Sequence, residues 1–518
     1  MQVVIVTRIG QARQATARRS FYLRIAAFRW GCLLALLISS FCIVPAYGQS
    51  GTTDSSGDKS GQSPDNKSGA DVSNSASDAL TGSFWKRFIE AYKQELAGKG
   101  NGAPPLRRIP PAPLDSPPYP NADWNYGGSS TIGVDTTTNY PLTRALDSGA
   151  DGEAWKASRV QVYGWINPGL NFSTSDKSNL PLGYNFYPNR VELDQFVTYI
   201  ERVPDTVQQD HVDWGFRLGN MYGIDYHFTT AKGWFSQQLL SENRQYGDDV
   251  LMAYADLYLP KIADGMNIRV GRYISVPDIE AQLAVNNYDY SHSMLFSYDP
   301  FTQTGIITTV KLNDRWLFNL GLSAGNDIAP WVEGAKPSLT ACVSYTFNHG
   351  NDMVYPCASG INSGKYAYNN VQLFVTTWYH KFGPTWHMAT ESYYEYERDV
   401  PSIFGPVHTE PNANGAYCAP GQIRCFAGEW AAVNYVQKTL SKSDYLSIRT
   451  DLLDDLKGQR TGYKTLYSEH TLMWGHWISD LITIRPEIRF DHAYDMPAFN
   501  LGTKTSQFTF ALDVIVRY

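Results

Sequence analysis

The chain has 518 residues and a net charge of −7, and it carries 14 Trp, 34 Tyr and 23 Phe beside 42 Gly. Its mean hydropathy is nevertheless negative, at −0.33. This aromatic and polar mixture argues against a soluble α/β enzyme and favours a membrane β-barrel, which needs aromatic residues at two water interfaces and polar residues along its lumen.

The first 48 residues predict a secretory signal peptide. They hold six arginines and no acidic residue, then an apolar run from Trp30 to Val44 and the cleavage sequence Ala46-Tyr47-Gly48. A single membrane anchor is the alternative, but about 15 apolar residues is short for a span. The run that begins Arg18-Arg19 resembles a twin-arginine signal, which exports folded proteins and therefore does not suit a membrane barrel.

Removal of this segment changes how the rest of the chain is interpreted. Six positive charges taken from a net charge of −7 leave −13, and so acidic a surface argues against nucleic acid as a partner. No later stretch has 18 uninterrupted apolar residues. We therefore expect no transmembrane helix after the signal peptide.

Three further segments precede the predicted barrel. Residues 49–80 are mainly Ser, Gly, Asp, Asn and Lys, and predict a disordered leader. Residues 81–100 predict a short amphipathic helix, because apolar residues recur at spacings of three and four; its apolar face either packs on the protein or binds a partner. Residues 101–159 begin with eight prolines between Pro104 and Pro120, and predict an extended spacer in the periplasm. The apolar positions of the helix are Trp85, Phe88, Ile89, Tyr92 and Leu96.

Residues 160–518 predict an all-β fold, a closed antiparallel transmembrane barrel. Apolar and polar residues alternate in segments of about ten residues separated by turn residues. We count sixteen strands, with 14 to 18 as the range, and an even number is typical of bacterial barrels. This count places both termini in the periplasm and the barrel in the cell outer membrane. The faces of Val191–Arg202 cannot be assigned from the pattern.

The last strand carries the most specific signal. One of its faces is apolar and ends on an aromatic residue, which matches the signal read by the barrel assembly machinery. A strand of a soluble sandwich also alternates, so this pattern alone does not decide between the two. The apolar positions are Phe508, Phe510, Leu512, Val514, Val516 and Tyr518.

The preceding strand has a charged face that needs water. Arg485, Glu487, Arg489 and Asp491 alternate with apolar residues over 481–492. In a sandwich this face would be the exposed surface, whereas in a barrel it lines the lumen. We interpret it as lumen wall.

Four cysteines remain after the signal peptide. Cys342 and Cys357 lie symmetrically about the turn 348–351, and Cys418 and Cys425 bracket a tight segment. In an oxidising compartment these spacings predict two disulfides, with free thiols as the alternative. The first pair also supports the weakest predicted strand, 352–359.

Several stretches resemble the OmpL-like family of β-barrel porins. They are Arg485-Pro486-Glu487-Ile488-Arg489 with Asp491, Val270-Gly271-Arg272-Tyr273, Gly321–Asp327 and Asn286–Gly305. The resemblance covers the barrel and implies passive transport without naming a solute. Outer-membrane lipid, lipopolysaccharide, the assembly machinery and small hydrophilic solutes are the expected partners, with self-association possible and no cofactor.

The third external loop, Ile274–Thr302, is the predicted pore constriction. General porins fold their third loop inward, and this one carries acidic residues that would face a basic wall across an eyelet. A merely extracellular loop is the alternative. The charged residues assigned to the constriction are Asp278, Glu280, Asp289 and Asp299 on the loop, and Arg269, Arg449, Arg485, Glu487, Arg489, Asp491, Glu391 and Glu395 on the wall.

Two further charge patterns line the predicted lumen. Glu391, Glu395 and Glu397 form an acidic ladder that either favours cations or is an ordinary solvated face. Arg449 and Asp451 share a face, and such pairs usually neutralise each other.

Three rival functions are weighed against a porin. A barrel hydrolase would use His470, His476 or His492, but no serine stands in a recognisable nucleophile motif. A receptor with a plug domain needs a longer chain. An adhesive or structural barrel would differ by lacking a continuous water path.

Overall fold

The computed structural model describes residues 80–98, 106–109, 131–275, 278–411 and 413–518. The predicted signal peptide, nearly all of the predicted leader and most of the proline-rich tract lie outside these residues. Within the described ranges, strands account for far more of the chain than helices do.

The sixteen predicted strands are all present, and they form one closed antiparallel barrel in which β16 pairs with β1. Each of the other strands pairs with the strand before it and the strand after it along the chain. The fold class and the strand count predicted from the alternating pattern are therefore confirmed. The strands are β1 (Val160–Ser173), β2 (Arg190–Arg202), β3 (Asp213–Gly223), β4 (Gly247–Leu259), β5 (Met266–Ile274), β6 (Thr302–Lys311), β7 (Trp316–Asn326), β8 (Ser338–Phe347), β9 (Asp352–Ile361), β10 (Gln372–Gly383), β11 (Trp386–Pro401), β12 (Arg424–Thr439), β13 (Asp444–Asp455), β14 (Leu466–Ser479), β15 (Ile482–Ala493) and β16 (Ser506–Arg517).

Short helices lie before the barrel and in its connections. Among the residues that the structure describes, three precede β1, namely α1 (Phe84–Leu96), α2 (Pro141–Asp147) and α3 (Gly152–Ser158). Four lie between strands, namely α4 (Tyr226–Thr229), α5 (Gln237–Leu240), α6 (Met294–Tyr298) and α7 (Phe499–Gly502). Within the described ranges, every helix falls short of the length and apolar character that a membrane span requires.

The two ends of the barrel differ in the length of their connections. The end that carries Val160 and Tyr518 has the short turns, such as 384–385 between β10 and β11. The other end has the long connections, including 224–246, 275–301 and 402–423. We call these the terminal end and the loop end.

The alternation of β15 and β16 is confirmed side chain by side chain. On β16, Phe508 and Phe510 point outward and are 43% and 39% exposed, whereas Thr509 and Asp513 point inward and are buried. On β15, Arg485 and the other charged residues of its face also point inward. The outer surface is therefore apolar and the lumen polar, as a membrane barrel requires.

An irregularity in strand β2 is the reason why its faces could not be assigned from the sequence. Asn167 on β1 pairs with Gln195 while Pro168 pairs with Leu193, so Asp194 is an extra residue in a bulge. Asp194 and Gln195 are consequently both buried. A bulge of this kind reverses the alternation partway along a strand.

The four cysteines form two disulfides in the structure. Cys342 and Cys357 are direct partners in the β8–β9 ladder and are joined to each other. Cys418 and Cys425 are joined at the start of β12. The weakly predicted strand 352–359 is present as β9.

The segment before the barrel differs from the predicted spacer. Residues 141–158 form α2 and α3 instead of extended chain, and α2 packs on α1 through Arg144, whose guanidinium lies 3.1 Å from the Glu95 carboxylate. The Tyr92 hydroxyl on α1 donates to the carbonyl oxygen of Arg517 on β16. Trp85 and Ile89 stay exposed, so much of the apolar face of α1 does not pack on the described residues.

Candidate constriction within the barrel

The loop between β5 and β6 begins after Ile274 and ends at Thr302, as the sequence predicted. Except for Val285, each of its described residues is buried. A surface loop would expose much of its backbone to water. This loop instead lies inside the barrel.

The loop reaches the opposite wall. The backbone nitrogen of Met294 donates to Asp451 Oδ2 at 2.6 Å, and the Tyr445 hydroxyl donates to the carbonyl oxygen of Tyr288 at 2.9 Å. Asp451 and Tyr445 belong to β13, which lies eight strands away from β5 in a ring of sixteen. The loop therefore spans the lumen.

A second attachment lies on β2. Gln195 donates from Nε2 to the carbonyl oxygen of Gln282 at 2.6 Å and accepts at Oε1 from the backbone nitrogen of Ala284 at 3.0 Å. The β2 bulge described above directs Gln195 inward beside Asp194. The bulge in β2 thus places the side chain of Gln195 where it binds the loop.

Arginines of the wall hold the loop through its carbonyl groups. Arg485 donates from Nη1 to the carbonyl oxygens of Ala284, Asn287 and Asp289 at 3.1, 2.8 and 2.9 Å. Its other guanidinium nitrogens pair with Asp513, at 2.5 Å for the shorter contact. Arg485 is therefore neutralised by the wall itself while it orders the loop.

Two more arginines bind the same stretch of loop. Arg449 donates to the carbonyl oxygen of Ser291 at 2.5 Å, and Arg489 donates to that of His292 at 2.5 Å. Each also has a carboxylate partner on the wall, since Arg449 pairs with Glu469 at 3.0 Å and Arg489 with Asp491 at 2.8 Å. The wall carboxylate that forms the ion pair with Arg449 is therefore Glu469, whereas Asp451 accepts from the backbone of the loop.

Carboxylates of the wall bind backbone N–H groups of the loop. Glu487 accepts from the backbone nitrogen of Ser291 at 3.0 Å, and Glu391 accepts from that of Ile279 at 2.8 Å. Wall charges of both signs thus hold the loop by its main chain. Hydrogen bonds that involve an ionised partner are about twice as strong as neutral ones.

The acidic residues of the loop divide into two groups. Glu280 and Asp289 approach Arg449, with oxygen–nitrogen distances of 4.0 and 3.7 Å. Burial raises the pKa of Asp289 to about 7, although the Arg449 guanidinium opposes this rise. Burial also raises the pKa of Glu280 against the same guanidinium. On this side of the loop, acidic side chains of the loop face a basic side chain of the wall, as the sequence predicted.

Asp278 and Asp299 face an acid instead of a base. One oxygen of each lies within 4.8 Å of the other and of an oxygen of Glu391 on β11. Burial is the main cause that raises the pKa of Asp278 to about 7, and it raises the pKa of Asp299 as well. The sequence did not predict this grouping.

Two residues assigned to the constriction pair elsewhere. Arg269 on β5 binds Asp256 on the neighbouring strand, with two contacts of 2.9 Å. Glu395 on β11 pairs with Arg460 at 2.6 Å, and Arg460 itself comes from the connection between β13 and β14. The Arg269–Asp256 pair does not involve the loop, whereas Arg460 also donates to the carbonyl oxygen of Tyr298 on the loop.

The sequence of the barrel matches a family model described as "Putative beta-barrel porin-2, OmpL-like" over residues 159–518. The chain belongs to this family. The match spans β1 to β16 and includes every motif that carried the resemblance, so that prediction is confirmed. The protein is thus a porin-like outer-membrane β-barrel of the OmpL-like family.

Solved structures similar to this OmpL-like barrel are also porins and outer-membrane proteins. An anion-selective porin from Comamonas acidovorans has a TM-score of 0.45 at 10% identity, covering 69% of this chain and 99% of that one. The outer membrane channel DcaP of Acinetobacter baumannii has a TM-score of 0.42 at 10% identity, covering 69% and 97%. The comparison with curated proteins gives no match.

Several residues of the OmpL-like barrel that hold the loop were not found from the sequence. Gln195 was hidden by the bulge, and Tyr290, which donates to Asp194 at 2.8 Å, looked like any loop aromatic. Glu469 was detectable in principle, because it pairs in register with Asp451 on the adjoining strand and lies diagonal to Arg449. The sequence pattern does not give the pairing register between β13 and β14, and this register is what places Glu469 beside Arg449.

Proposed function

We propose that this chain is an outer-membrane porin through which small hydrophilic solutes and ions diffuse passively, with the loop Ile274–Thr302 as its constriction. The observation that carries the proposal is the course of the loop, which leaves β5 and is hydrogen-bonded to Asp451 on the opposite wall. Any solute that crosses the barrel has to pass beside this loop. Its family membership supports a channel of this kind.

Charges beside the loop would set the ion preference. Glu280 and Asp289 on the loop each lie within 4.0 Å of the Arg449 guanidinium on the wall. Opposed charges in a narrow and partly dehydrated passage interact more strongly than in bulk water. We infer that these residues, and not Arg269, govern selectivity.

The different lengths of the connections at its two ends support an orientation for the barrel. We place the terminal end, with its short turns and helices α1 to α3, in the periplasm and the loop end outside the cell. The outward apolar side chains, such as Leu320 and Leu322 at 61% and 58% exposure, support contact with outer-membrane lipid. Lipopolysaccharide would meet the loop end.

We infer no catalytic role for the histidines considered in the sequence. His470, His476 and His492 lie on the outward side of β14 and β15, where they contact Thr450, Asp444 and Ser506. A hydrolase needs hydrogen-bond donors positioned to stabilise an oxyanion, and backbone N–H groups are common donors. In these strands the pairing of the ladder engages the backbone.

A barrel without an open pore is the second candidate. It is favoured by the closeness of the loop–wall contact, where the side chains of Arg449 and Asp289 are both 0% exposed. A structural or adhesive barrel would keep this contact closed permanently. A porin would leave a water path beside it.

Conductance of the purified, refolded protein in a planar bilayer tests the proposal. We expect stepwise ion conductance that rises when residues 278–299 are replaced by a short Gly-Ser linker. Shortening the connection between β11 and β12 within residues 403–411 is the control, and we expect it to change conductance little. If neither the original protein nor the variant without the loop conducts, the barrel is structural or adhesive.

A further inference from the structure

Three carboxylates meet where the two ends of the loop approach β11. Asp278 lies near the start of the loop, Asp299 near its end, and Glu391 on the wall. Their side chains are buried, with residue exposures of 4%, 2% and 1%. One oxygen from each lies within 4.8 Å of the other two.

Unlike their neighbours, these three carboxylates have no basic partner within the described part of the chain. Glu280 and Asp289 approach Arg449, and Glu395 pairs with Arg460. No Lys, Arg or His nitrogen among the described residues forms an ion pair with the cluster. An unpaired charge in a dry site is costly, so this arrangement calls for a compensating positive charge.

Carboxylate oxygens without a hydrogen-bond partner also indicate that the cluster needs a compensating positive charge. Both carboxylate oxygens of Asp299, Oδ2 of Asp278 and Oε1 of Glu391 are buried and accept no hydrogen bond from described residues outside the cluster, while the carboxyl groups of Asp278 and Asp299 lie within hydrogen-bonding reach of each other. The second oxygen of Glu391 is used, because it accepts from the backbone nitrogen of Ile279 at 2.8 Å. The backbone therefore orients Glu391 and leaves its other oxygen without a hydrogen bond.

We propose that Asp278, Asp299 and Glu391 bind a calcium ion that clamps both ends of the loop to β11. All the donors are carboxylate oxygens, which hard cations prefer, and the absence of His and Cys from the cluster disfavours zinc and copper. Calcium accepts six to eight oxygen ligands in flexible geometry, whereas magnesium demands a tighter octahedron. Water would complete the coordination.

The ion would do more than neutralise charge. Ile279 already holds the start of the loop to Glu391 by a hydrogen bond, and the ion would add the end of the loop, at Asp299. The loop would then resist displacement from the lumen. Calcium binding does not depend on the proposed porin function, but an effect of calcium on conductance does.

Isothermal titration of calcium chloride into the full chain, refolded in detergent and stripped of metal with EDTA, tests the site at pH 8. We expect one calcium ion per chain. Asp299→Asn and Glu391→Gln should each weaken binding by roughly tenfold or more, since losing even an outer partner weakens metal sites by about 10–100-fold. Slower gel mobility after heating confirms that each variant was folded.

Glu429→Gln is the matched control. Glu429 is a buried wall carboxylate with an unused oxygen, and it pairs in register with Glu395, four residues along β11 from Glu391. The same chemical change outside the cluster should leave calcium affinity unaltered. An equal loss in this variant overturns the assignment.

Two other results would overturn the site. One is the absence of binding to the original protein up to about 10 mM calcium, above the range of the weakest calcium modules; the carboxyl groups would then share protons instead. The other is unchanged binding in both Asp299→Asn and Glu391→Gln. Binding without any change in conductance supports the site and counts against the proposed constriction.

Discussion

Glu487 on β15 accepts two hydrogen bonds from Ser291, one from the backbone nitrogen at 3.0 Å and one from the hydroxyl group. A charge fixed on the wall thus binds the main chain of the loop. Many loop sequences can offer the same backbone N–H, whereas the acceptor depends on the side chain at one wall position, which here is the carboxylate of Glu487. The wall residues are therefore the informative positions to change.

Ion selectivity should respond to the charges beside Arg449. Replacing Glu280 and Asp289 with their amides should shift permeability toward anions, and Arg449→Gln should shift it toward cations, because one sign of charge is removed from the passage in each case. Reversal potentials in a salt gradient measure both shifts. Arg269→Gln is the control, since Arg269 is paired with Asp256 away from the loop. Reversal potentials that stay fixed in the two test variants would rule out this constriction.

Selectivity should also depend on pH. Burial raises the pKa of Asp289 to about 7, with Glu487 and Glu469 acting in the same direction and Arg449 against it. Asp289 is therefore charged at pH 8 and mostly neutral at pH 6, so cation preference should fall as the pH is lowered between these values. Asp289→Asn should show a smaller change over the same interval. Identical changes in the two proteins would contradict the assignment.

Removing Arg485 should destabilise the barrel. Arg485→Gln leaves the buried carboxylate of Asp513 without its partner, and breaking a buried pair in this way costs about 3–5 kcal/mol. Three loop carbonyl groups lose their donor as well. The midpoint of urea unfolding should fall accordingly. Lys156→Gln breaks an exposed pair with Glu153 and should cost about 1 kcal/mol or less.

The last residue should control assembly through its aromatic ring. The Tyr518 hydroxyl donates to the carbonyl oxygen of Val197 at 2.8 Å, and its ring stacks on Phe196 across the closure of the barrel. Tyr518→Ser should abolish assembly in the outer membrane, because it removes both contacts. Tyr518→Phe keeps the ring and should assemble. The fraction of heat-modifiable protein in outer-membrane extracts distinguishes these outcomes, and normal assembly of Tyr518→Ser would refute the proposed signal.

Alternation in the sequence, together with the aromatic and polar composition, predicted the barrel, because each face of a strand has a single environment. The inward positions of Arg485 and Arg489 followed directly from it. Strand β2 departs from this alternation at Asp194, because the extra residue there changes the face to which the following side chains point. The amino-acid composition shows no pattern that marks it. Local sequence carries no reliable sign of such a bulge.

The course of the loop between β5 and β6 was predictable only in outline. Length, acidity and position in the chain placed the loop Ile274–Thr302 correctly between β5 and β6. Its attachments could not be foreseen, because Arg485 and Glu487 bind carbonyl and N–H groups that every residue possesses. The approach of Asp299 to Glu391 depends on the path of the loop in three dimensions.

The contact between Tyr92 and Arg517 has a consequence for the order in which the protein matures. The hydroxyl group on α1 reaches the carbonyl oxygen of a residue 425 positions later, next to the seam where β16 meets β1. The acceptor takes its place only when the last strand has joined the first. We therefore expect α1 to dock late, after β16 has paired with β1, and protease protection of the Phe84–Leu96 segment would report that the barrel has closed.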